Sequence, residues 1–133
     1  MFRLRTLIVD DSDEFLAAAA AIVREDENCE LCGVARSGGE ALELAWRQMP
    51  DLILLDVNLG DMSGFLAASA LRAALPGCRV LMMSLHDSPT YRSRSREIGA
   101  VAFLAKSELF DRFAATAEAL RLPPPPLRAG DGR

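Results

Sequence analysis

At 133 residues the chain has room for one folded domain, and a second is excluded. With 50% of residues apolar and 26% charged it can bury a sizeable core, which excludes a wholly disordered chain. Fifteen Lys and Arg against nineteen Asp and Glu give a net charge of −4, which argues against a broad electrostatic footprint for nucleic acid. No apolar run approaches the roughly 18 residues of a membrane span, and Met1–Arg5 lead straight into a strand-like run. A cytoplasmic protein with no direct nucleic-acid or membrane contact is expected.

In chain order, the apolar run Thr6–Val9 predicts a strand, and Ser12 or Asp11 can cap a helix over 13–25. Within that helix Ala17–Ala21 is a strong helix former able to pack closely on a sheet. Glu30–Ala35 predicts a second strand. Cys29 and Cys32, three apart on extended chain, then point to opposite faces; with His86 the only histidine and Cys78 remote, buried thiols are expected rather than a metal or redox pair.

Gly38-Gly39 opens a helix over 39–48 that Pro50 closes. Leu52–Leu55 lacks polar alternation, as a central strand covered on both faces would. The helix predicted over 64–75 carries only Arg72 as a charge, ends at Pro76-Gly77 and is a candidate interface. Arg79–Met83 is the fourth strand, followed by a helix over 89–98 with Pro89 in its first turn. Arg92 and Arg96 share one face of that helix, either solvated or facing an acidic partner or a second copy of the chain.

Val101–Leu104 is the fifth strand, and Ser107 is positioned to cap a last helix over 108–121. The folded domain is therefore expected to span 1–121. Residues 122–133, with Pro123–Pro126, are expected to be an extended tail or the stub of a linker. Five strand–helix units predict a doubly wound α/β domain with a parallel sheet.

In such a sheet, ligands bind outside the carboxyl ends of the strands, where strand order reverses. The residues there are Asp10 and Asp11 after the first strand, Asp56 after the third, Ser84 after the fourth and Lys106 after the fifth. Two like charges about 4 Å apart repel by roughly 4 kcal/mol at an effective dielectric of about 20, so three gathered carboxylates call for a cation. Lys106 offsets part of that repulsion. A hard divalent ion such as Mg²⁺, with a phosphate oxygen in its coordination sphere, suits the remainder.

These residues lie in the runs Leu7-Ile8-Val9-Asp10-Asp11-Ser12, Pro50–Asp56 with Ser63-Gly64 following, Val80-Leu81-Met82-Met83-Ser84 and Gly99–Lys106. Over about residues 4–121 the sequence resembles the receiver domain of two-component response regulators. The resemblance implies a flavodoxin-like, five-stranded parallel sheet of order 2-1-3-4-5 with helices on both faces. It also implies a signalling switch rather than a metabolic enzyme.

By the same resemblance Asp56 is the phosphoacceptor, receiving its phosphoryl group from a sensor histidine kinase or phosphotransfer protein. Asp11, Asp56 and the backbone carbonyl of Asn58 would bind Mg²⁺, with Asp10 assisting through water, and Lys106 would pair with Asp56 or a phosphoryl oxygen. Ser84 matches the switch hydroxyl and Phe103 the switch aromatic, which without a phenolic OH is expected to favour the buried position. Asn58, Leu85 and His86 match positions that tune dephosphorylation.

The output would be a downstream protein target or output domain, or a homodimer formed through the fourth helix, fifth strand and fifth helix. One departure opens an alternative: Leu85 is bulkier than the residue usual there, and by crowding the pocket it would leave a pseudo-receiver acting without phosphorylation. A phosphatase with an Asp nucleophile is disfavoured, because Asp56-Val57-Asn58 lacks the second carboxylate of a DxD pair.

Overall fold

Residues 3–121 are described by the computed structural model. The chain runs β1 (Leu4–Val9), α1 (Asp13–Glu25), β2 (Cys29–Ala35), α2 (Gly38–Gln48), β3 (Leu52–Asp56), α3 (Gly64–Ala74), β4 (Arg79–Ser84), α4 (Pro89–Glu97), β5 (Ala102–Ala105) and α5 (Lys106–Arg121). The five strands form one parallel sheet of order β2-β1-β3-β4-β5, the doubly wound topology expected.

Alternation along the strands divides the core into two layers. Leu7, Val9, Ile53, Leu55, Val80, Met82 and Phe103 face α2 and α3, while Ile8, Leu52, Leu54, Leu81, Met83 and Leu104 face α1 and α5. Each fully buried side chain of this size contributes about 1.5–3 kcal/mol. Both faces of β3 are therefore covered, which explains its lack of polar residues before Asp56. Ala19 and Ala20 of the alanine run are buried in the α1 layer, where a small side chain lets the helix approach the sheet.

Local chemistry sets most boundaries. Ser12 caps α1 by accepting from the Phe15 N–H, and Pro89 opens α4. α2 starts one residue before the predicted position, at Gly38, because Ser37 caps it through the Glu40 N–H; it ends at Met49, whose left-handed φ of 50° precedes Pro50. The role expected for Ser107 is corrected. α5 begins at Lys106, so Ser107 lies inside it, and Glu108 reaches back instead to accept from the Ala105 N–H at 3.0 Å. β5 is likewise one residue later than predicted.

Cys29 is buried in the α1–α5 layer and Cys32 packs against the other, as strand alternation expects; Cys32 is also the extra residue of a bulge opposite Thr6 and Leu7. The thiols are free, and burial pushes Cys29 up to about 11, leaving it protonated and unreactive at neutral pH. Among the described residues no helix is long and apolar enough to cross a membrane. The tail expected at 122–133 lies outside the described residues.

Candidate functional site

The chain passes from β1 to β2 on one side and to β3 on the other, so the carboxyl ends of β1 and β3 flank the crevice where strand order reverses. Register aligns Val9 with Leu55, which brings Asp10 level with Asp56, while Ser84 pairs with Ala105 and so stands beside Lys106. Asp10, Asp11, Asp56, Asn58, Ser84 and Lys106 are thereby brought to one sheet edge. A cleft of about 220 Å³ there is lined by Asp11, Ser12, Asp56, Asn58, Ser84, Leu85, His86 and Lys106.

Carboxylate oxygens of Asp10, Asp11 and Asp56 all lie within 4.8 Å of one another. Asp10 is fully buried and Asp56 nearly so, while Asp11 is open to solvent. One oxygen of Asp10 accepts from the Ser12 N–H at 2.9 Å. Its Oδ2 is buried without an oriented hydrogen-bond donor, and its counter-charge is the Lys106 ammonium at 2.5 Å. Lys106 Nζ also donates to Asp56 Oδ2 at 3.2 Å, and Asp56 Oδ1 accepts from the Asn58 N–H at 3.3 Å.

One ammonium thus serves two of the three carboxylates. Burial pushes the Asp56 carboxyl up to about 6; the Lys106 ammonium opposes the rise, and the Asp10 charge adds to it. At neutral pH Asp56 is still ionised. An all-oxygen donor set whose negative charge exceeds that of the one ammonium beside it fits a hard divalent cation such as Mg²⁺.

Around this centre, Ser84 is buried and its Oγ accepts from the His86 N–H at 3.1 Å, while the His86 side chain is exposed at the cleft. Leu85 lines the rim with 74% of its surface exposed, so the bulk expected to crowd the pocket stands largely in solvent. Phe103 is buried at 8% exposure, the inward position expected of a ring without a hydroxyl.

The face expected to be solvated or free for a partner on α4 is partly occupied from within. Arg92 lies 5.0 Å above the Phe103 ring, donates through Nε and Nη2 to both oxygens of Asp87, and pairs with Glu108 at 3.6 Å. Arg94 covers the ring of Phe65 at 4.6 Å, and Arg96 is exposed. α3 turns most of its apolar residues into the core and leaves Leu66 exposed.

Two residues beside the site were not singled out from the sequence. Phe15 lies in the first turn of α1, and the Lys106 ammonium sits 4.3 Å from its ring centroid. Asp61 in the β3–α3 loop accepts from the Gly38 and Gly39 N–H groups at the start of α2. The helical period places Phe15 on the inner face of α1 beside Leu16 and Ala19; no sequence signal pairs Asp61 with α2.

A flavodoxin-like sheet whose switch-point acids surround one lysine defines the receiver class of signalling proteins. The model of the response regulator receiver domain family matches residues 6–118, and the chain belongs to that family, part of two-component signalling. It is 30% identical over 116 residues to the transcriptional regulatory protein MctR of Rhizobium johnstonii, covering 87% of this chain and 54% of that protein. It is 33% identical over 109 residues to protein-glutamate methylesterase/protein-glutamine glutaminase 2 of Carboxydothermus hydrogenoformans, covering 81% of this chain and 31% of that one.

Among solved structures it superposes on the signal receiver domain of the response regulator NarL from Mycobacterium tuberculosis with a TM-score of 0.78 at 29% identity, covering 89% of this chain and 98% of that one. The chain therefore spans about half the length of the first relative and under a third of the second.

Proposed function

We propose that the domain, residues 1–121, is a phosphorylation-dependent switch in which Asp56 accepts a phosphoryl group from a phosphohistidine on a sensor histidine kinase or phosphotransfer protein. An Asp56 carboxylate oxygen attacks phosphorus and the P–N bond to the donor imidazole breaks. The products are a mixed anhydride on Asp56 and a free histidine side chain on the donor. Burial raises the nucleophile's basicity, while neutral pH keeps it ionised and able to attack.

Asp11, Asp56 and the carbonyl of Asn58 would hold Mg²⁺, with Asp10 acting through water; the ion would neutralise charge on the transferring oxygens. Lys106, already between Asp10 and Asp56, stabilises the phosphoryl oxygens once Asp56 is phosphorylated. Ser84 donates its hydroxyl to the same group, and Asn58, Leu85 and His86 set the access of water that later hydrolyses it. The change passes through Ser84 and Phe103 to the face of α4, β5 and α5. There it alters contact with an output domain, a downstream protein or a second copy of the chain.

The observation that carries this reading is the buried Lys106 ammonium shared between Asp10 and Asp56 at the switch point. Incubation with Mg²⁺ and a small acyl phosphate, followed by intact mass, is expected to show one phosphoryl adduct that Asp56→Asn abolishes. Absence of an adduct from both that donor and a competent kinase would overturn it.

A further inference from the structure

The loop between β3 and α3 carries Asn58 toward the cleft and closes on itself. The Gly64 N–H donates to the Val57 carbonyl, Leu59 N–H to Met62 and Asp61 N–H to Leu59. Gly60 takes a φ of 78°, which favours glycine, and a Cβ there would lie 3.6 Å from Asp11 Oδ2. The loop thus passes directly beside the exposed carboxylate of the acidic cluster. Val57 and Leu59 root the loop in the core, while Gly60, Asp61 and Ser63 are exposed, and this outer part of the turn has an anchor in another element.

That anchor is the start of α2. Asp61 Oδ1 accepts from the Gly38 N–H at 2.9 Å and Oδ2 from the Gly39 N–H at 3.2 Å. Ser37 Oγ takes the Glu40 N–H, so the first amides of the helix are divided between its own cap and a carboxylate from a distant loop. The positive end of the helix strengthens the hold on Asp61. Met62 completes it: a Cβ on Gly38 would fall 2.5 Å from its Sδ, so the side chain occupies the space that glycine leaves free.

We infer that Asp61 is a positioning residue for the metal site, fixing the β3–α3 loop that carries Asn58, whose carbonyl would join Asp11 in holding Mg²⁺. This rests on the function proposed above. Asp61 acts on the geometry of the ion's donors and leaves the nucleophile untouched, so its loss weakens Mg²⁺ binding and spares the chemistry at saturating Mg²⁺.

Calorimetric titration of the full chain with Mg²⁺ alone tests this, beside adduct formation from an acyl phosphate. Asp61→Ala is expected to raise the Mg²⁺ dissociation constant about 10-fold, the low end for a residue that orients a ligand without touching the ion. Its adduct rate at saturating Mg²⁺ should match the parent's. Asp61→Asn, which keeps one oxygen for one glycine amide, should fall between and decides the matter if the alanine variant fails to fold. Ser37→Ala strips α2 of its other cap and should lower the thermal midpoint with Mg²⁺ affinity unchanged.

An unchanged Mg²⁺ constant in folded Asp61 variants, or an equal loss in Ser37→Ala, overturns the role of Asp61 alone. A parent that binds no Mg²⁺ and forms no adduct overturns the proposed function and this inference with it.

Discussion

The two ends of the sheet present different kinds of hollow. At the amino end, Trp46, Met49, Pro50, Leu75, Pro76 and Cys78 line a groove of about 410 Å³, nearly twice the volume of the acidic cleft at the carboxyl end. Its carboxylate, Asp51, is already committed, accepting from the Arg5 N–H at 2.9 Å. At the carboxyl end the cleft is smaller, yet one ammonium serves two buried carboxylates beside an open third, and an Asp10 oxygen lacks an oriented donor. Volume does not mark the site. What marks the site is charge held out of water with too few partners, an arrangement that costs stability unless a ligand completes it.

The strongest way to break this contrast is to remove the shared cation. Lys106→Met is expected to destabilise the metal-free domain by about 3 kcal/mol at neutral pH, because it leaves two buried carboxylates uncompensated. Mg²⁺ should restore part of the loss. Urea unfolding measures both, and a change under about 1 kcal/mol would mean that the carboxyl end stores no such cost.

Next in size is the titration of Asp56. Its folded pKa lies above the free-carboxylate value, so between 3.8 and about 6 the native state binds more protons than the unfolded state. Stability without metal should therefore fall as pH rises through that window, and the cost persists above it. Asp56→Asn should flatten this dependence and stabilise the metal-free domain at neutral pH by about 1–2 kcal/mol. Unfolding curves at several pH values in the presence of a chelator show the effect; an asparagine variant less stable than the parent at neutral pH would refute it.

At the amino end, Trp46→Ala should change stability by less than about 0.5 kcal/mol, because the ring is 66% exposed. It should leave phosphoryl-adduct formation untouched, and a slowed adduct would show that the two ends are coupled. The smallest effect is expected for Leu85→Ala. Adduct formation should proceed at the parent rate, since the side chain stands at the rim, and a marked acceleration would revive the obstructed-pocket alternative.

Much of the fold was legible in the residues because its signals are local. An uninterrupted apolar run ahead of Asp56, a serine before α1, a proline at the start of α4 and a two-residue strand period each act over a few positions. The same locality placed Asp10, Asp11, Asp56, Ser84 and Lys106 at strand ends, from which convergence on one edge follows once the strands are parallel. The start of α5 was misplaced because Glu108 satisfies the Ala105 amide from within the helix, the glutamate half of a capping box, which a search for a preceding serine overlooks.

What the sequence by itself determined was the alternation of elements, the layering of the core and the order in which acidic, hydroxyl and basic groups reach the carboxyl edge. Tertiary structure alone decided how those groups share their charges: Lys106 between Asp10 and Asp56 and against Phe15, Arg92 folded over Phe103, Asp61 tied to the amides of α2, and Leu85 turned to solvent. The physical reason is range. Strand and helix periods are written by neighbours, whereas an ion pair or a cap between residues 20 to 100 positions apart forms only where the packed backbone brings their polar atoms within about 3 Å.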